Sequence, residues 1–152
     1  MSKKAKDIMT SDVIVATKDS LIQDIAKILL EKRIGGVPVV DKENKVIGII
    51  SETDIIKKEG NIDTPTVITL LQGVIYFPDL KKVEKEILDI ASYKVEDLMS
   101  TNVTKVNEED SFEDIANLMI KRSVNRVPVV DSDNKLKGII CRYDIIKSMY
   151  NE

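Results

Sequence analysis

The chain has 152 residues, 43% of them hydrophobic, and a net charge of −3. That is enough for an ordinary soluble core, and the mild acidity carries no generic nucleic-acid or membrane patch. Histidine is absent and cysteine occurs once, which removes the commonest general base and the commonest metal ligand and leaves no internal disulfide. In chain order, a short helical lead over Ala5–Met9 precedes a β-rich stretch at Val13–Val15. Ile22, Ile25, Ala26, Leu29 and Leu30 then recur on one helical face, with Ser20 as the expected N-cap. Val37–Asp41 and Val46–Ser51 flank a polar Lys-Glu-Asn-Lys turn and predict a β-hairpin. A helix follows from about Glu52. Pro38 falls near a strand start, where a missing N–H does least harm.

The whole order then repeats. Residues 7–57 and 97–147 align without a gap at an offset of 90, with 20 identities in 51 pairs. The second copy has a lead at Val95–Met99, a β-rich stretch at Val103–Val106 and an amphipathic helix marked by Phe112, Ile115, Ala116, Met119 and Ile120. Asp110 or Ser111 caps that helix. A second hairpin, Val127–Asp131 and Leu136–Cys141, leads into a final helix from about Arg142. Asn44 and Asn134 are expected in the left-handed turn conformation, which Asn tolerates best after Gly. Repetition matters because a unit that cannot close its own core can bury it against a copy. The expected class is α/β, of the α+β kind: two β-α-β-β-α repeats at 1–58 and 95–152, with a helical insert at 59–94. That insert is too apolar for a flexible linker.

VPVVD in both copies, followed by Gly-Ile-Ile and Asp-Ile-Ile, resembles a tandem pair of CBS domains, the Bateman module, as found in stand-alone CBS-domain proteins. The resemblance covers about two-thirds of the chain. It implies two pseudo-symmetric halves with clefts between them, which in the family often take AMP, ADP, ATP or S-adenosylmethionine. The family's ligand signature is Gly, two apolar residues, Ser or Thr, two variable residues and Asp. The first copy matches it fully from Gly48 to Asp54. The second, Gly138 to Asp144, has Cys141 in place of the hydroxyl. The resemblance assigns Asp54 and Asp144 to ribose hydroxyls and Ser51 to ribose or phosphate. Thr53 falls within the signature.

Each assignment has a structural counterpart. Ser51 and Asp54 have the spacing of a capping box, a reading compatible with ligand binding because a helix N-terminus attracts phosphate. A thiol is a poor donor, so the cleft at Cys141 is expected to be the weaker, and Asp54 the more important carboxylate. Val13–Val15, with Ile14 among them, and Val37 are expected to offer apolar walls and backbone groups to an adenine as well as sheet core, and Gly36, Pro38, Val127 and Pro128 are counted among the ligand-binding residues. Arg126 and Arg142 have no cationic counterparts in the first copy; Arg126 is a phosphate fork or a surface charge, and Arg142 is a phosphate fork, a surface charge or a partner for Glu52 or Asp144. Gly35 is read as a helix cap. Cys141 reads as a small buried hydrophobe.

No phosphate-binding Walker loop and no nucleophile–base pair occurs, so the chain is read as a regulatory binding module rather than an enzyme. It is expected to have no catalytic residues, metal site, resident cofactor, nucleic-acid partner or membrane span, and to be cytoplasmic. It is expected to signal by a change of shape or assembly, as a homodimer, to a regulated protein that the sequence does not name. The alternative is a ligand-independent scaffold or regulatory subunit. Leu21, Ile28 and Leu118 widen the apolar stripes of the two long helices and mark the expected dimer face.

Overall fold

A computed structural model describes residues 2–58 and 93–150; the expected insert helices lie outside these residues. The elements are α1 (Ala5–Ile8), α2 (Ile22–Lys32), β1 (Gly36–Val40), β2 (Val46–Ser51), α3 (Glu52–Lys58), α4 (Val95–Leu98), β3 (Val106–Asn107), α5 (Phe112–Arg122), β4 (Arg126–Val130), β5 (Leu136–Cys141) and α6 (Arg142–Tyr150). They group into two compact units that do not follow the repeat boundaries. Unit 1 holds residues 2–14, 40–47 and 102–150; unit 2 holds 15–39, 48–58 and 93–101.

The interleaving comes from the leads. In unit 1, α1 of the first copy lies on the second copy. Ala5 N donates to the Asp110 carbonyl at 2.9 Å, and Thr10 and Ile139 bond reciprocally at 2.9 and 3.0 Å. Lys4 and Lys6 both bond Glu109, holding its carboxyl down to about 2. In unit 2, α4 of the second copy lies on the first: Val95 N donates to the Ser20 carbonyl at 2.8 Å, and Ile49 and Ser100 bond reciprocally at 2.9 Å. Glycine makes this approach possible. A Cβ on Gly138 would stand 2.5 Å from Met9 Sδ and 2.9 Å from the Thr10 carbonyl; on Gly48 it would stand 2.8 Å from Met99 Sδ and 3.1 Å from the Ser100 carbonyl. The glycine in both Gly-Ile-Ile runs is thus the floor on which the exchanged lead rests.

Unit 1 carries the three-stranded sheet β3–β4–β5, with β3 parallel and β5 antiparallel to β4 and a register shift at Val129–Val130. Its core is Ala5, Val106, Ile115, Met119, Val127, Val129 and Ile140. The β1–β2 hairpin contributes its tip to unit 1. There Asn44 and Asn134 take φ of 64° and 63°, as expected. Asn44 Nδ2 donates to the Leu136 carbonyl at 3.2 Å and Asn134 Nδ2 to the Val46 carbonyl at 3.0 Å. Val40, Val46 and Val130 pack beneath. Asp41 and Asp131 close the turns by accepting backbone N–H groups, including those of Lys45 and Lys135. The shared Asn-Lys turn is therefore both a bend and a clasp between hairpins. In unit 2, Ile22, Ile25 and Leu29 bury the inner face of α2, and Val37, Val39, Ile50, Ile55 and Val95 are all within 1% of full burial.

Four local expectations are corrected. Val13–Val15 forms no strand; the residue that follows it, Ala16, makes one parallel bridge to Val39. Ser20 does not cap α2. Leu21 holds that position without a side-chain bond, and Ser20 Oγ accepts from Thr17 N instead. In the second copy Ser111 does cap α5, accepting from Asp114 N. Gly35 does not end α2 either: Arg33, at φ 53°, takes the left-handed position, as Ser123 does after α5. Finally, Ile120 is 78% exposed, so the apolar stripe of α5 is wider than the sheet it covers.

Candidate functional site

The two Gly-Ile-Ile strands each end at a helix start that carries an Asp. At the β2–α3 junction Ser51 N and Ser51 Oγ donate to Asp54 Oδ2 at 2.9 and 3.0 Å, and Asp54 N donates back to Ser51 Oγ at 3.3 Å. This is the capping box that the spacing predicts. Ser100 Oγ, on the exchanged lead, donates to Asp54 Oδ1 at 3.0 Å. At the β5–α6 junction Cys141 N donates to Asp144 Oδ2 at 2.7 Å. The Cys141 thiol makes no such bond. Burial, then the nearby Asp144 charge, push its pKa up, so it stays a neutral thiol.

Of the candidate residues, unit 2 brings together Gly36, Val37, Pro38, Ser51, Thr53 and Asp54, and unit 1 brings together Val13, Ile14, Arg126, Val127, Pro128, Arg142 and Asp144. Asp54, Ser51 and Asp144 are half-buried and Thr53 is exposed. The side chains of Val37, Pro38, Val127 and Pro128 are buried in the core, the sheet-core role expected of Val37 alongside contact with an adenine. Only their backbone groups remain to offer, and the Pro38 carbonyl already accepts from Ala16 N at 2.9 Å. Val13 and Ile14 are half-buried. Arg126 is half-buried, close enough to Cys141 to oppose the rise in its pKa. Arg142 is exposed and makes no ion pair among the described residues.

Sequence reasoning missed Thr10 and Ser100. They occupy twin positions just after α1 and α4, and the exchange of leads brings Ser100 to Asp54 and Thr10 into a cavity beside Asp144. That cavity, about 360 Å³, is also lined by Lys3, Asp7, Lys147 and Ser148. The twin hydroxyls after Met9 and Met99 were a visible signal, but only the fold says which Asp each one meets. Among the described residues no group of His, Cys, Asp and Glu could hold a metal, and no helix is long and apolar enough to cross a membrane.

The CBS-domain family profile matches residues 5–61 and 95–151. The chain belongs to the CBS-domain family. An uncharacterized protein of Methanocaldococcus jannaschii, MJ1426, is 32% identical over 153 residues, covering 95% of this chain and 89% of that protein. The chloroplastic CBS domain-containing protein CBSX1 of Arabidopsis thaliana is 28% identical over 144 residues, and this chain spans 59% of its length; it spans 45% of a second M. jannaschii relative, MJ1225. Among solved structures, CBSX2 in complex with AMP superposes with a TM-score of 0.70 at 26% identity, covering 96% and 95% of the two chains. The CBS domain pair of MJ0100 in complex with 5′-methylthioadenosine and S-adenosyl-L-methionine gives 0.71 at 27% identity, covering 98% and 97%. The fold is accordingly a mixed α and β CBS pair, as the resemblance implied.

Proposed function

We propose that this CBS pair is a cytoplasmic regulatory module, not an enzyme, that binds an adenosine-containing ligand and signals by changing shape or assembly. The observation that carries this reading is the twin placement of Asp54 and Asp144. Each carboxylate sits at the start of a helix, directly after a Gly-Ile-Ile strand, and is held there by a backbone N–H from three residues earlier. A carboxylate fixed at a helix start can accept a ribose hydroxyl while the free N–H groups of the same turn face an anion. The complexes of CBSX2 with AMP and of MJ0100 with adenosine compounds support the ligand class. Ser51 and Thr53 would assist Asp54. Arg126, Arg142 and the backbone at Val13, Ile14, Gly36, Val37, Pro38, Val127 and Pro128 are the remaining proposed contacts.

Assembly as a homodimer belongs to the same reading. Ile120, Tyr143, Ile146 and Met149 on α5 and α6 are all more than half exposed, an apolar face that a second copy would cover. A regulated protein is the further partner. Leu118, expected with Leu21 and Ile28 on the dimer face, is half-buried against the unit 1 core.

A thermal-shift panel of AMP, ADP, ATP and S-adenosylmethionine tests the binding. At about 100 times its Kd a ligand adds about 2.7 kcal/mol, which for a chain of this size raises the melting temperature by about 5–10 °C. No shift with any of the four at millimolar concentration would favour the scaffold alternative. Light scattering with and without the stabilising ligand, on wild type and Ile120→Glu, reads the assembly: a mass near 17.1 kDa throughout would reject the dimer.

A further inference from the structure

The twin carboxylates present different edges. Both oxygens of Asp54 already have protein donors: Ser51 on Oδ2 and Ser100 on Oδ1. Asp144 has a single donor, Cys141 N on Oδ2, and no described residue donates to its Oδ1. The copies differ at the two positions that could supply these donors. Cys141 stands where Ser51 stands, and a thiol is too weak a donor to claim an oxygen. Thr10 stands where Ser100 stands, and it lines the cavity beside Asp144 without bonding the carboxylate.

We propose that the Ser100 hydroxyl is a built-in occupant of the ribose-acceptor position on Asp54, so that Asp144 takes an adenosine ligand first and Ser100 sets the affinity of the Asp54 site. This rests on the proposed function and reverses the ranking of the two sites that the sequence motif implies. The reason is an exchange balance. A ribose hydroxyl arriving at Asp54 Oδ1 competes with the Ser100 hydroxyl for that oxygen: it either shares it, weakening both bonds, or displaces Ser100 to water. At Asp144 the incoming hydroxyl meets an oxygen with no protein donor to displace, and about 360 Å³ of space beside it. What leaves Asp144 Oδ1 open is the absence of a bond from Thr10; the thiol only removes the second donor to Oδ2 that Ser51 supplies in the first copy. The raised pKa of Cys141 keeps a second negative charge from forming next to it.

Isothermal titration of the full chain with AMP, and separately with S-adenosylmethionine, tests this, because both probes carry the same ribose. Asp144→Ala is expected to abolish the tighter binding step and Asp54→Ala the weaker one. Ser100→Ala is expected to tighten the weaker step about two- to ten-fold, the equivalent of one ordinary hydrogen bond. Asp54→Asn and Asp144→Asn, which keep side-chain size, guard against misfolding, with melting curves run on every variant. The inference is overturned if the tighter step is lost with Asp54 rather than Asp144, or if Ser100→Ala leaves both affinities unchanged or weakens them. If wild type binds neither probe, the proposed function falls, and the inference falls with it.

Discussion

Helix α5 in unit 1 begins under a Ser111 side-chain cap, whereas its twin α2 in unit 2 begins at Leu21 with none. Both helices nonetheless run 11 residues and end in a left-handed residue, Ser123 or Arg33. The glycine floor shows the opposite pattern: Gly48 and Gly138 are identical in both copies, each under the methionine of an exchanged lead. The contrast separates two kinds of contribution. A cap satisfies one or two N–H groups at a helix end, and packing of the buried face can hold the helix without it. The lead rests best on glycine, because a Cβ there would press on backbone as well as on a flexible sulfur.

Substitutions at twin positions break or sharpen that comparison. The largest losses are expected from Ile50→Ala and Ile140→Ala, both fully buried in wild type. Each should lose about 2–5 kcal/mol in urea denaturation. Near-equal losses would show that the two units are matched in packing; a markedly one-sided result would show that one unit carries the stability of both. Next come Gly48→Ala and Gly138→Ala, expected to cost about 1–3 kcal/mol by overpacking. Gly138→Ala should cost more, since its added carbon meets Met9 Sδ at 2.5 Å rather than 2.8 Å. Trimming Met9 to Ala should recover part of the Gly138→Ala loss, but not all, because the Thr10 carbonyl remains in the way. The smallest effects belong to the caps. Ser111→Ala should cost about 1 kcal/mol, and Leu21→Ser, at a residue 37% exposed, should stabilise by up to a similar amount. A melting temperature unmoved by both would show that neither helix start limits stability.

Much of this is legible in the sequence. The repeat is legible by laying the chain on itself at an offset of 90, and the hairpins, the left-handed Asn turns, the Ser51–Asp54 box and the two Asp-bearing helix starts follow from short-range patterns. What was not legible depends on residues far apart. No pattern in Ala5–Met9 says that it packs on the other copy. Without that exchange Val13–Val15 looks like a strand, Gly48 and Gly138 look like ordinary strand glycines, and Ser100 has no reason to be near Asp54. The buried state of Val37 and Pro38 was half visible, since a strand of unbroken apolar residues has no open face to give a ligand.

The exchange of leads also governs when the protein can fold. Residues 5–8 reach the ribosome exit long before Ile139 and the α6 helix on which they come to rest. Unit 2 likewise needs α4, which is translated after its other described parts. Contacts across more than a hundred residues require loop closure before they return any stabilisation. Neither unit is therefore complete while only the first copy has emerged. A chain divided between the copies would yield two fragments that each lack a piece of both cores, rather than two independent half-proteins.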